Sequence, residues 1–434
     1  MRRPARLRVS AAACLAPLLA AWCYVYAREN VLTFLVRGDW PAATGALAVM
    51  LCCTVPATAT VAAWEGGRHR AIAATLAAAA RHPLVPAARA LVPAGVVAAV
   101  GMAASCAAVL PAAAGGPLGA PVFELIGVYA VIDVGYAAVG YTLGRLVPVA
   151  ISLPAALLGS FWCVGFPRAF SPMWIGDIDG GRLEDCCSTL DRLPAPRALI
   201  APLLVAAGMV AAGAVVAMWR GRRSWSVAAA TGCVALGVVL AAGAVRDADP
   251  LGDAGVARPV SAMTCAGTRP TLCLWPEQEP RRQSILASVR TASERLRLVG
   301  VSVPATVSVS PDDHRPGRLD VPLLYPDPSR ADILTAVADA AVTVHEPACA
   351  AGDPHAWKAG PVIGTVQAWA HLAVGVTDTG STWRQAVTAA RQVRDRPLAV
   401  QAAWYRANTA ALRGCTAGPQ PVGAFTQASS GGPR

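Results

Sequence analysis

Long apolar runs dominate the first half of the chain. A helix that crosses a bilayer needs about 20 mostly apolar residues, and seven runs of this kind lie within residues 9–245. They cover 9–27, 42–63, 91–113, 122–143, 149–164, 199–219 and 226–245. The pattern predicts a polytopic α-helical membrane bundle of about seven spans over residues 1–246.

The first run also resembles a secretory signal peptide, because arginines precede it. Its apolar stretch is long for such a peptide, however, and it ends in aromatic residues that suit a membrane interface. No A-x-A cleavage site follows it. We therefore expect a retained helix.

The second half has the pattern of a soluble domain. After a polar linker over 247–260, an α/β domain is predicted over 261–415, followed by a Gly/Ser/Pro-rich tail over 416–434 that we expect to be disordered. Strands are predicted at 271–275, 303–309 and 320–324, with a helix at 279–298. Helices follow at 328–343, 361–376 and 382–413, the last broken near Arg396-Pro397.

The distribution of arginines predicts how the bundle is oriented in the membrane. Residues 1–246 hold 19 arginines and 10 acidic residues, so most of the net charge of +11 lies in the membrane half. A cytoplasmic N-terminus would place twelve arginines in the inner segments and six in the outer ones, as the positive-inside rule requires. Seven spans would then place the C-terminal domain outside the cytoplasm, in a multi-pass protein of the plasma membrane. Because the basicity has this topological explanation, no nucleic-acid partner is expected.

Two acidic residues lie within the fourth run. Glu124 is near its end, whereas Asp133 is near its middle, where a charge is costly and therefore a functional candidate. Tyr129, Asp133 and Tyr136 fall at i, i+4 and i+7, on one stripe of a helix. This stripe predicts a polar surface towards the bundle or a translocation path. The alternative is a buried aspartate that is held by neighbouring polar groups and has no further role.

Four cysteines belong to the predicted outer domain: Cys265, Cys273, Cys349 and Cys415. Disulfides persist outside the cytoplasm, and of the three possible pairings we favour Cys265 with Cys273 and Cys349 with Cys415. Paired C-x-x-C spacing is missing, so a metal site is not expected. The cysteines within the apolar runs are interpreted as small packing residues.

No catalytic motif is complete. The segment from His345 to Cys349 begins like H-E-x-x-H, but Cys349 occupies the position of the second histidine and Pro347 would break the helix. The Asp312-Asp313-His314 segment lies in a Pro-flanked turn and is interpreted as a solvated loop. We expect neither an enzyme nor a bound cofactor.

Two loops are longer than a turn requires. The inner loop from Glu65 to Arg89 has apolar residues at helical spacing, so it predicts either an amphipathic helix on the inner surface or a basic connector. The outer loop from Phe166 to Arg197 is acidic, contains Cys186-Cys187, and is predicted to fold as short helices.

These loops, with the tight inner turn at Arg145, resemble those of ABC-2 type transporter permeases. The stretch with Trp64-Glu65, Arg68 and His82-Pro83 is similar to the coupling helix that contacts the ATPase in that family. The whole chain resembles actinobacterial permease-like proteins with a seventh span and an extracytoplasmic domain of unknown function. The resemblance implies an export permease that forms a homodimer or pairs with a similar permease.

The same resemblance implies a contact with a separate ATPase subunit, since no Walker sequence occurs in the chain. That contact would be made through the cytoplasmic helix 65–86, whose expected coupling residues are Glu65, Arg68, His69, Arg70 and Arg81. An alternative remains open: a membrane-anchored receptor or immunity-type protein whose outer domain binds a ligand or an envelope partner.

Overall fold

The chain divides into two compact units, Met1–Arg258 and Pro259–Arg434. The computed structural model describes residues 11–31, 40–71, 82–113, 122–166, 169, 175–187, 189–218, 223–246, 254–310, 315–323, 325, 327–343, 360–377 and 384–413. Residues 254–258 belong to the first unit, so the predicted linker over 247–260 is partly built into that unit.

The first unit is a bundle of helices. They are α1 (Ala11–Tyr26), α2 (Trp40–Ala46), α3 (Leu51–Ala71), α4 (Leu84–Ala113), α5 (Phe123–Leu146), α6 (Val149–Gly165), α7 (Ile175–Ile178), α8 (Pro196–Met218) and α9 (Arg223–Arg246). A π-helical turn, Ala27–Val31, extends α1, and a 3-10 turn, Leu47–Met50, joins α2 to α3.

Five helices in the described part of the chain are long and apolar enough to cross a membrane. They are Trp40–Ala71, Leu84–Pro111, Phe123–Leu146, Pro196–Met218 and Ser224–Arg246. Of the other two predicted spans, α1 has 16 residues before its π-helical extension and α6 has 17. A 17-residue helix is about 26 Å long, less than a hydrocarbon core of about 30 Å. The unit is therefore consistent with a helical membrane protein, and the count of seven spans stays a prediction.

Small residues bring α3 and α5 into close contact. A Cβ atom on Gly140 would collide with the carbonyl group of Ala59, and one on Gly144 with that of Ala63. From the other side, a Cβ atom on Gly66 would collide with the backbone of Tyr141. Such small residues let helix backbones approach closely, so that van der Waals contact holds membrane helices together.

The segment between α6 and α8 packs against the other elements of the first unit. It contains α7, a 3-10 turn (Leu183–Asp185) and strand β1 (Arg192–Pro194), which pairs antiparallel with β2 (Gly255–Ala257). Cys186 and Cys187 form a disulfide and are both buried. The prediction of short helices in this loop is confirmed for α7.

The second unit combines a small sheet with helices. Strands β3 (Thr264–Ala266), β4 (Thr271–Leu274), β5 (Thr306–Ser308) and β6 (Arg318–Asp320) lie side by side in that order. The first pair is antiparallel and the others are parallel. The helices are α10 (Arg282–Leu298), α11 (Arg330–Val342), α12 (Gly360–Val374), α13 (Arg384–Arg394) and α14 (Leu398–Arg413). The predicted strands at 271–275 and 303–309, the helix between them and the break near Arg396-Pro397 are confirmed, whereas β3 was not predicted and the strand predicted at 320–324 lies at Arg318–Asp320.

Arg282 joins three elements of the second unit. Its Nη1 donates to the Leu272 carbonyl of β4 at 2.7 Å, and its Nη2 donates to the Thr264 carbonyl of β3 at 2.9 Å. The Arg282 guanidinium also pairs with Glu279 and holds the pKa of that carboxyl below its ordinary value. The start of α10 is thereby fastened to the sheet.

A buried amide and buried aromatic rings hold the last three helices of the second unit together. The indole nitrogen of Trp369 donates to Gln401 Oε1 at 3.1 Å, and Gln401 Nε2 donates to the carbonyls of Arg394 and Arg396. Trp369 and Trp404 are both buried, which places these aromatics in the core. Gln401 therefore links α12, the end of α13 and α14.

Candidate functional site

Asp133 lies near the midpoint of α5 and is buried, with 3% of its surface exposed. Tyr129 and Tyr136 are also buried, so the three residues of the predicted stripe all lie inside the unit. Glu124, in contrast, is exposed in the first turn of α5. The mid-helix carboxylate is thus the acidic group that α5 carries inside the bundle.

Tyr129 has a structural partner that explains its burial. Its hydroxyl lies 3.1 Å from the Thr44 carbonyl and 3.2 Å from the Gly45 carbonyl, and donates to these oxygens of α2. Tyr129 therefore fastens α5 to α2.

Two threonines of α3 lie beside Asp133. Thr54 and Thr58 are close enough to interact with its carboxylate, and both are buried. Within the described part of the chain, however, Asp133 Oδ1 and both threonine hydroxyls lack a partner in hydrogen-bonding geometry. Buried polar groups are normally hydrogen-bonded, so such a cluster needs an explanation. The sequence did not point to these threonines, because no pattern relates α3 to α5 in register.

A cavity of about 450 Å³ adjoins this cluster between α4 and α5; we call it the Asp133 cavity. Small and apolar side chains form most of its lining, spaced four residues apart on both helices: Gly95, Ala99 and Ala103 on α4, and Ile126, Ala130 and Val134 on α5. Asp133 and Thr58 contribute polar groups to the same lining. The cavity has the size and the mixed lining of a small-molecule site.

The Asp133 cavity opens onto the exposed surface of the first unit. Gly95, Ala99 and Ala103 are exposed there, and Val134 is half-exposed. Tyr129 and Tyr136 do not line the cavity. The predicted stripe is therefore divided: Asp133 reaches the cavity, whereas Tyr129 contacts α2.

The predicted coupling residues lie at the end of α3. Glu65 is buried and pairs with Arg68 at 3.0 Å, and His69 Nδ1 lies 3.1 Å from the Tyr141 hydroxyl. Arg70 is exposed, and Arg81 lies outside the described residues.

The expected separate helix 65–86 is therefore wrong in its first part. Residues 65–71 continue α3 and Leu84 already begins α4, whereas residues 72–81 lie outside the described residues. The helix does not end at Trp64-Glu65 because the next turn still packs on its neighbours. Gly66 lies against Tyr141, and Gly67 lies against Val149 of α6.

The cysteines of the second unit are described only in part. Cys265 and Cys273 face each other across β3 and β4 and form a disulfide. Cys349 and Cys415 lie outside the described residues, as do the His345–Cys349 and Asp312–His314 segments. Among the residues that the structure describes, no group of three or more histidine, cysteine or acidic side chains is arranged to hold a metal ion.

The first unit thus has the architecture of a helical membrane protein with a carboxylate inside its bundle, and the second unit is a small α/β domain. Residues 272–415, from β4 to just beyond α14, match a domain of unknown function designated DUF7224. No ABC-2 permease family matches the chain. Comparisons with curated proteins and with solved structures give no match.

Proposed function

We propose that the protein is a permease-like membrane subunit of an ABC-type export system. The observation that carries this proposal is Asp133, a buried carboxylate beside a cavity in a bundle of apolar helices. A charge at the bilayer centre costs about 2.5–3.5 kcal/mol on insertion scales, and such residues commonly mark a substrate or proton path. A helix bundle that serves only as an anchor does not require a charged residue at this position.

The end of α3 supports the coupling part of the proposal. The buried Glu65 pairs with Arg68 one turn further along the same helix, and the contact between His69 and Tyr141 holds this end against α5, while Arg68 and Arg70 remain exposed. A rigid helix end with exposed positive charge suits contact with a separate ATPase subunit. Movement of that subunit would then be transmitted directly to α3 and to the Thr54 and Thr58 side chains beside Asp133.

The coupling is tested by replacing an exposed arginine. We expect Arg70→Glu to abolish the ATP hydrolysis that co-purifies with the tagged protein from native membranes, because it reverses the charge at the proposed contact. Arg246→Glu is the matched control, since Arg246 is an exposed arginine at the end of another helix, α9. Equal ATP hydrolysis in Arg70→Glu and in the wild type would contradict the coupling.

A transport measurement separates the proposal from the receptor or immunity-type alternative. In the export system, Asp133→Asn impairs transport because it removes the buried charge with little change in volume. In a protein whose helices serve only as an anchor, the same substitution leaves function unchanged.

The whole chain is expected in the plasma membrane, as a homodimer or paired with a similar permease.

A further inference from the structure

The lining of the Asp133 cavity restricts what it can hold. Asp133 is the single charged residue among the described residues that line it, and Thr58 supplies a hydroxyl beside the carboxylate. The rest of the lining consists of small or apolar residues, such as Ala98, Met102 and Cys106. A molecule that fills this space must be mostly apolar and must present a positive or hydrogen-bond-donating group at one end.

The size of the cavity limits the ligand to a small molecule. Its volume of about 450 Å³ falls within the usual range of small-molecule sites, about 300–1,000 Å³. Its mouth at Gly95, Ala99, Ala103 and Val134, which also includes the exposed Ala130, is apolar, on a surface that lipid would cover if the bundle spans a membrane. Entry from the bilayer therefore suits a lipid-soluble molecule better than a water-soluble one.

The unpartnered polar atoms indicate which end group is bound. Asp133 and Thr58 line the cavity, and Asp133 Oδ1 and the Thr58 hydroxyl are buried without a hydrogen bond of ordinary geometry within the described residues, although Thr58 lies close enough to interact with the carboxylate. A carboxylate accepts hydrogen bonds and attracts positive charge, so an ammonium group complements it. A carboxylate or phosphate on the ligand would be repelled, and a hydroxyl would gain a hydrogen bond without the charge.

We propose that the Asp133 cavity binds a membrane-soluble amine, with its apolar body between α4 and α5 and its ammonium group on the Asp133 carboxylate. The inference rests on the proposed export function, since it names the substrate class of that site. It predicts selectivity among ligands that share a hydrocarbon chain and differ only in their end group.

Photolabelling of the full chain in lipid nanodiscs tests this selectivity. The probes are a long-chain primary amine that carries a diazirine in its chain, and the alcohol and carboxylate of the same length. Insertion into α4 is measured by peptide mass spectrometry, because α4 contains no acidic residue that would capture the reactive species by itself. We expect the amine to label α4 at least tenfold more than the carboxylate, and more than the alcohol.

Variants locate the origin of the selectivity. Asp133→Asn should lower amine labelling of α4 about tenfold and leave the alcohol unchanged, whereas Asp133→Glu should retain the preference for the amine. Glu124→Gln removes the same charge from an exposed position on the same helix and should have no effect. Ala130→Leu, which narrows the mouth, should reduce labelling by the amine and by the alcohol alike.

Two outcomes would overturn the inference. One is equal labelling by amine, alcohol and carboxylate. The other is weak labelling by all three together with self-crosslinking of Ala99→Cys, which would show that a helix of a second copy covers the Asp133 cavity. Failure of the export proposal gives a different result, because amine selectivity would then persist in a protein that carries no ATPase.

Discussion

Glycines on α5 determine how closely it approaches α3. At Gly140 and Gly144 the backbone of α3 occupies the space of a side chain, whereas a Cβ atom on Gly127 of the same helix meets nothing within 4 Å. The same chemical change should therefore have opposite effects at two positions of one helix. The close contact between α3 and α5 also affects the candidate site at Asp133, because α3 carries the threonines that lie beside this residue.

We expect Gly140→Ala to destabilise the first unit by about 1–3 kcal/mol, the usual cost of overpacking a close contact. Gly127→Ala should be neutral or stabilise by up to about 1 kcal/mol, since alanine is the better helix former. The measurement is the thermal unfolding of the detergent-solubilised protein. Equal melting temperatures for the two variants would show that α3 and α5 are not in close contact.

At the scale of elements, Arg282 connects β3, β4 and the start of α10. Its guanidinium donates to the carbonyls of Leu272 and Thr264 and pairs with Glu279, three contacts that a shorter or neutral side chain cannot make together. The α/β order of this region follows from sequence periodicity, but the residue that fastens the helix to the sheet does not. The reason is that arginines on the surface of a helix look alike in sequence.

Arg282→Ala should destabilise the second unit by about 1–3 kcal/mol, because each lost hydrogen bond contributes roughly 0.5–1.5 kcal/mol. Arg282→Lys should recover only part of this loss, since one ammonium group cannot reproduce the guanidinium geometry. Arg290→Ala, on an exposed position of the same helix, is the matched control. Proteolytic resistance of the C-terminal unit in the full chain measures the effect, and equal resistance of the Arg282 and Arg290 variants would contradict the assignment.

The Glu279–Arg282 pair also gives a pH dependence. Because Arg282 lowers the pKa of Glu279 in the folded state, the pair stabilises the unit above the ordinary glutamate pKa of about 4.3. This contribution is lost as the pH falls through the lowered pKa. The difference in stability between the wild type and Glu279→Gln should therefore be present at neutral pH and disappear in strongly acidic buffer. A difference that does not depend on pH would rule out the ion pair as its cause.

At the scale of the whole molecule, the orientation of the bundle remains a prediction from arginine bias. It places the connection between α3 and α4 in the cytoplasm and the C-terminal unit outside it. The same prediction places Cys265 and Cys273, which are joined in the structure, on the side of the membrane where disulfides persist.

Reporter fusions check this orientation. Alkaline phosphatase fused after Arg258 should be active, because it folds only outside the cytoplasm, and the same enzyme fused after Pro83 should be inactive. A green fluorescent reporter, which matures in the cytoplasm, should give the reverse pattern at the same two positions. Active phosphatase after Pro83 would invert the predicted topology and remove the basis for coupling through the end of α3.

The sequence by itself determined the helical, apolar character of the first half, the small α/β domain after it, and the position of Asp133 within an apolar helix. These properties depend on local composition and on periods of two or 3.6 residues, which a linear pattern contains. It predicted less well where elements end, because α3 continues through Glu65 to Ala71. Five helices within the described residues are long enough to cross a membrane, and the count of seven spans stays a prediction.

Only the tertiary structure decided which polar groups meet. It placed Thr54 and Thr58 beside Asp133, opened a cavity between α4 and α5, and directed Tyr129 towards α2. These relations depend on the register and the distance between helices that are far apart in sequence. Register and distance are set by contacts such as that of Gly140 with Ala59, in which the absence of a side chain lets two backbones meet.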